Sequence, residues 1–427
     1  MKAHRHILPH TLAALAALAL DARADIIVPG ANGSDGVLNI TENTVIDLSL
    51  AATGVWNTNT AASSPNFGRG TYDPAKWAVV FKYSSISISQ GATVTFKNHP
   101  SRAPVVWLVS GNAVIDGTVN LNGEEWKIAP LHAEPGPGGF RGGQGNYGPN
   151  VNSAAGFGVG GGGMGVRGNY AGIQAIIPAY GNPSNLQLIG GSGGGGSGWV
   201  NPDKNGGGAG GGAILVASAK TIQVNGGIVA DGGAGRGRNY LYDANQSGAG
   251  SGGAIRLIAD IIQGRGLVRA SGGESEGATG PGGTGRIRVE RVTHIDLNPG
   301  VIAFSPDPSV VTLQAGDTAL LWPRSEDPKV RITGVGNKPL TSDPRAGFGA
   351  FGPDVALALT NRVYVTVETQ NVEPESQVIV RLTPRANGSF VEATATLLTS
   401  TNNARQWIAQ LQVAPGYSAV QARVIRP

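Results

Sequence analysis

The sequence predicts an all-β chain: a parallel, β-helix-like solenoid with glycine-rich excursions, followed by an antiparallel β-sandwich. Three observations lead there. A short apolar phrase is written twice and begun a third time between Gly206 and Val289. Glycine crowds the same region, with 49 of the 68 glycines between Gly136 and Gly285 and only 8 from Ser309 onward. Beyond Ser309 the pattern becomes short alternating strands of ordinary composition, which reads as a domain boundary.

The chain opens with Lys2 and Arg5, an apolar run from Thr11 to Leu20, and Ala22-Arg23-Ala24. A charged head, a short apolar stretch and a small-x-small site predict a signal peptide over residues 1–24. The apolar run is too short to cross a bilayer, so the expectation is export to the periplasm, cell surface or medium with no membrane span. The chain has no cysteine, which excludes disulfides and thiol chemistry. Processing would remove Lys2, Asp21, Arg5 and Arg23 and lower the formal charge from +4 to +2. That balance is too near neutral to argue for nucleic acid. His99, His132 and His294 would be the remaining histidines, so neither a metal site nor a cofactor is expected.

Residues 25–308 form the expected solenoid. Asp25 to Asp73 is polar and turn-rich, with Val37-Leu38-Asn39-Ile40 and Val45-Ile46-Asp47-Leu48 as short strands. It reads as a cap over the open end of the stack, where an uncovered coil would offer an edge for aggregation. Trp77 to Tyr83 and Ile86 to Phe96 give a divergent coil. In the phrase itself, Ile214, Ile255, Ile287 and Val106 align in one column, with Val216, Leu257, Val289 and Leu108 two residues on. Period two makes these a buried face, and the intervening Leu215, Arg256, Arg288 and Trp107 are expected to face solvent. One copy cannot bury its apolar face alone, so the copies should stack in parallel. Asn122, Asp231, Ser271 and Ser305 stand before glycine or proline and read as corner formers.

Between residues 124 and 212 the regular path breaks into a glycine-rich excursion. Ordering a residue costs about 1–2 kcal/mol. The scattered aromatics and the apolar Ile173, Ile176, Ile177, Leu186, Leu188 and Ile189 provide surface to offset that cost. Glycine runs can also lie as extended polyproline-II-like strands that bond to one another. From residue 309 to 427, Val363, Val365 and Val367 alternate with Tyr364, Thr366 and Glu368, and further alternating runs follow through Val424. This spacing predicts a sandwich of the immunoglobulin or fibronectin kind.

The phrases Gly206 to Val216, Trp77-Ala78-Val79-Val80-Phe81-Lys82-Tyr83 and Phe96-Lys97-Asn98-His99-Pro100 make the chain resemble a group of exported glycine-rich bacterial proteins. That group is functionally uncharacterised, so the resemblance implies the architecture and no active site.

The motifs with formal chemical meaning are explained by composition. Gly190-Gly191-Ser192-Gly193-Gly194 matches a serine-hydrolase elbow, which needs a strand before it and a helix after it. Gly156 to Gly161 matches a dinucleotide fingerprint without a predicted helix to receive a pyrophosphate. Asn32-Gly33-Ser34-Asp35-Gly36 reads as an Asx turn more cheaply than as a calcium loop. Parallel β-helices often carry polysaccharide lyases or glycoside hydrolases, which need two acids on one outer face. The candidates for such a pair are Asp260 and Asp296, although the repeat alignment places no two acids in adjacent outward columns.

The excursions hold Tyr147, Tyr170, Trp199, Tyr240 and Tyr242 with Arg236 and Arg238. Aromatic faces stack on sugar rings and guanidinium groups bond hydroxyls, so these residues are the candidate ligand-binding set, with polysaccharide or cell-wall material as partner. Equally, the rings could plug the glycine layer against the solenoid. The expectation is therefore an exported structural or adhesive surface or matrix protein that binds carbohydrate, the alternative being a polysaccharide-cleaving enzyme on the same scaffold.

Overall fold

The computed structural model describes residues 24–58, 67–128, 130–147, 156–158, 187–196, 198–199, 205–236, 247–275, 281–293, 301–340, 354–358, 362–384, 390–401, 403–413, 415–416 and 418–427. The expected signal peptide falls almost wholly outside them. These residues are nearly all β, with parallel sheets in the first three quarters of the chain and antiparallel sheets after Lys329. None of them forms an α-helix, and among these described residues no helix is long and apolar enough to cross a membrane.

The chain passes in turn through three parallel stacks. In the first, Ala78–Tyr83, Val105–Val109, Ala213–Ser218, Ala254–Gln263 and Arg286–Thr293 pair in that order. In the second, Val37–Ile40, Ser85–Ile88, Ala113–Ile115 and Thr221–Val224 lead onto the end of Ala254–Gln263. The third runs through Thr44–Asp47, Thr93–Lys97, Thr118–Asn120, Gly227–Val229, Leu267–Arg269 and Ala303–Ser305. One buried core draws on all three: Val79, Val105, Ile214, Ile255 and Ile287 from the first, Ile86, Ala113, Ile222 and Ile262 from the second, Val94, Val119, Ile228 and Val268 from the third. Side chains at successive levels bond along the second stack, as Asn225 does to Asp116 at 2.7 Å and Gln263 to Gln223 at 3.2 Å.

The pairing corrects two expectations. Ile214 sits opposite Val105, not Val106, and Val216 opposite Trp107. A one-residue slip moves every side chain to the other face, so Trp107 belongs to the interior and is fully buried. Val105 to Val109 are all apolar and all buried, which leaves no alternation from which the register could be read. The second correction concerns the face expected to meet solvent. Val106, Leu108 and Leu215 are buried under a strap made by Ile26, Val28, Ala319 and Leu321. Ile27 and Ala319 hydrogen-bond across that strap, and Ile27 also bonds Asp317, so the two ends of the parallel region meet there.

Arg256 shares this face and is only 1% exposed. Its Nε meets Glu290 at 2.7 Å, and its terminal nitrogens donate to the carbonyls of Leu320 and Leu321. Glu290 also receives Arg288 at 2.7 Å. Burial pulls the Arg256 guanidinium below its usual range, while the hydrogen bond and charge of Glu290 oppose that shift.

The corner column is partly as expected. Asn122 Oδ1 accepts the backbone N–H of Asp231 and Asp231 Oδ1 that of Ser271, so each side chain bonds the next level and not its own backbone. Ser305 pairs with Arg269 and lies two positions off the column.

Beyond the corner, glycine segments connect the third stack to the first strand of the next level. The segment 206–212 is their centre. Gly207 and Gly210 donate to Gly143 and Phe140, Gly208 and Gly211 to Gly248 and Ser251, Gly206, Ala209 and Gly212 to Lys127, Glu124 and Leu121. Three neighbours are served in rotation, one every third residue, which is the period of a polyproline-II helix. A Cβ at Gly210 would lie 1.8 Å from the Gly191 carbonyl oxygen. The expectation of ordered, mutually bonded glycine strands therefore holds where the 124–212 excursion is described.

After Thr293 the composition changes before the architecture does. Ser309–Thr312 still pairs in parallel with Arg286–Thr293, and Ala319 and Leu321 still pack on the parallel face. Apart from the short antiparallel pairing of Thr71–Asp73 with Ala78–Tyr83 and a bridge between Ile128 and Asn205, antiparallel pairing belongs to the strands from Lys329–Val335 onward. A five-stranded and a three-stranded sheet then share a core of Val363, Val365, Val367, Val378, Val380, Leu382, Trp407 and Leu411. Strand Arg362–Gln370 alternates faithfully, with Val363, Val365 and Val367 inward. Deleting 309–322 is accordingly expected to uncover Leu215 and Arg256. A chain ending at residue 308 should show lower solubility and a lower melting temperature than one ending at 327, and equal behaviour would count against the strap.

Candidate functional site

The sequence-predicted residues are only partly brought together. Tyr147 and Trp199 occupy directly paired positions in the two-residue parallel strands Asn146–Tyr147 and Gly198–Trp199. Tyr170, Tyr240, Tyr242 and Arg238 lie outside the described residues, as does Asp296. Asp260 is half-buried in Ala254–Gln263, at the position between its pairings with Ala213–Ser218 and with Thr221–Val224. Its proposed pairing with Asp296 thus falls outside the described chain.

Arg236 is placed at the rim of the glycine layer. Its guanidinium lies 5.3 Å from the ring centroid of Trp126, and its backbone N–H donates to Ser247 Oγ at 2.9 Å. A cation over an indole face contributes about 0.5–1 kcal/mol at exposed sites. Trp126 is positioned in turn by its backbone N–H, which donates to the Ala234 carbonyl. Trp126 is not among the glycine-flanked aromatics of the excursions. The signal was present in Glu124-Glu125-Trp126-Lys127, a charged run with one ring at the mouth of the excursion.

Next to it the same rim carries a charge cluster. Glu134 bridges Arg102 at 2.5 Å and Arg141 at 2.6 Å. Glu124 accepts the Glu134 backbone N–H at 3.0 Å and faces Lys127 at 3.6 Å. Arg102 is held in a left-handed backbone conformation, φ 49°, and its carbonyl receives Gly138. Burial lowers its guanidinium from the usual range, with Glu134 opposing. His132 contacts the Gly142 carbonyl at 3.4 Å, and burial holds its imidazole below the usual range.

This rim offers guanidinium donors, one half-buried ring and carboxylates already engaged. Elsewhere, too, the carboxylates hold the chain together. Asp73 accepts the N–H groups of Trp56 and Ala75, Asp231 pairs with Arg269, and Asp116 accepts from Asn225. In the Asn32 to Gly36 turn, Asn32 accepts Ser34 N–H, and both carboxylate oxygens of Asp35 accept backbone N–H groups, of Gly68 and Lys82. Ser192 lies within a glycine segment whose N–H bonds Ser251 Oγ at 2.7 Å, without the strand and helix an elbow requires. Among the described residues no group of three or more His, Asp or Glu side chains could hold a metal ion.

No protein-family model, curated protein or solved structure matches the chain.

Proposed function

We propose that the chain is an exported structural or adhesive protein of the cell surface or extracellular matrix, binding polysaccharide through the rim of its glycine layer. On this reading the three parallel stacks are the faces of a β-solenoid, the antiparallel sheets an immunoglobulin- or fibronectin-like sandwich, and residues 1–24 a signal peptide. The observation that carries the structural role is the rotation of hydrogen bonds around segment 206–212. Such a layer is bonded to three neighbours along its length and poor in side chains, so contact chemistry is left mainly to its rim. Support for carbohydrate comes from Trp126 and Arg236 there, a half-buried ring beside a guanidinium.

The test is incubation of the purified protein with a panel of insoluble polysaccharides, scoring retained protein and released fragments together. Retention without release is expected. Fragment release that disappears in Asp260→Asn would replace this reading by the polysaccharide-cleaving one.

A further inference from the structure

The outward face of the five-stranded antiparallel sheet holds an open cleft of about 360 Å³, bordered by Thr333, Asn337, Lys338, Tyr364 and Thr366. That volume lies at the lower end of the range for small-ligand clefts, about 300–1,000 Å³. Tyr364 is 47% exposed, although its strand neighbours Val363 and Val365 are buried in the core. A large ring presented to water at the centre of a sheet face, beside hydroxyl and amide groups, is what stacking on a sugar ring requires.

The surroundings are prepared for it. Thr333 and Thr366 hydroxyls meet at 3.2 Å, which fixes both rotors. The sheet register shifts between Ile332 and Gly334, and a Cβ at Gly334 would come 2.7 Å from Thr366 Oγ1, so glycine keeps the floor open. Asn337 is held at φ 63° in the turn that ends Lys329–Val335. Lys338 Nζ is tied to the Ala356 carbonyl at 2.6 Å. On the adjoining strand Ala404–Gln412 the exposed Gln406, Gln410 and Gln412 fall on the same face, Gln410 directly opposite Tyr364. No carboxylate borders the cleft, and its one cation is already bonded.

We propose that this cleft binds a neutral polysaccharide, one or two sugar residues of a longer chain stacking on Tyr364, with hydroxyls bonded by Thr333, Thr366, Asn337 and Gln410. The site is separate from the glycine rim, but the ligand class rests on the reading given under Proposed function.

Affinity electrophoresis of the full protein through gels containing a soluble β-glucan, xylan or mannan tests it. Wild type should be retarded by at least one of them. Tyr364→Ala should weaken that retardation about tenfold or more, as for truncation of a central aromatic anchor. Tyr364→Phe should retain it, and all three proteins should melt alike. Asn337→Gly, which keeps the left-handed backbone without strain, removes the amide and should weaken binding independently of any packing effect. Retardation unchanged in both Tyr364→Ala and Asn337→Gly overturns the proposal. Loss confined to Trp126→Ala or Arg236→Ala overturns it too, while leaving polysaccharide binding at the rim intact. Wild type that is not retarded in any gel sinks both.

Discussion

Gly210→Ala is expected to be the most damaging single-methyl substitution in the parallel region. Its Cβ would lie 1.8 Å from the Gly191 carbonyl oxygen and 2.2 Å from the carbon that bears it. Overpacking a core costs about 1–3 kcal/mol when side chains can shift. Here the obstacle is backbone, and Gly191 is itself bonded to Gly211. The loss should therefore reach or exceed the top of that range, read as a lower guanidinium midpoint. Gly283→Ala is the matched control, because nothing lies within 4 Å of its Cβ. It should be neutral or stabilise by up to about 1 kcal/mol through the unfolded chain. Equal midpoints for the two variants would mean that the glycine segments do not pack as described.

Arg256→Ala should cost about 3–5 kcal/mol, the range for removing one partner of a buried ion pair. The variant loses the contact to Glu290 and leaves the Leu320 and Leu321 carbonyls without their donor. Read from alternation alone, Arg256 is a surface residue whose removal costs well under about 1 kcal/mol. Ile255→Asp, which buries a carboxylate in the core shared by the three stacks, should cost several kcal/mol as well. Thermal melting of both variants decides the point. A near-neutral Arg256→Ala would restore the solvent-facing column and dismiss the strap.

How much could be read in advance depended on what fixed the register locally. Ile214, Ile255 and Ile287 aligned correctly because glycine runs pin the start of each phrase, and the pairing follows the same alignment. Val105 to Val109 offered five apolar residues without a break, so nothing chose between two registers. The fate of Arg256 was hidden for a different reason. Its partner Glu290 comes from the next level of the stack and its roof from residues 320 and 321, separations that no local pattern encodes. Among the site residues, Arg236 belongs to a glycine-rich excursion and is legible there, but its companion Trp126 stands outside the glycine tracts. Tyr364 was visible only as an alternation marker, since exposure on a sheet face becomes meaningful once its neighbours Thr333 and Gln410 are known.

The pairing of Ile27 with Thr318 has a consequence for the order of assembly. Almost the whole parallel region separates these two residues in sequence, and closing so long a loop carries an entropic cost that local contacts cannot defray. Ile26 and Val28 can settle early on Val80 and Val106, but the backbone partners of Ile27 come only from residues 317–319, so the clasp is expected to close late. Until it does, Leu215 and Ile258 on the outer face are expected to lack the cover of Ala319 and Leu321. Late clasping makes completion of the stack, and not its nucleation, the stage most open to aggregation.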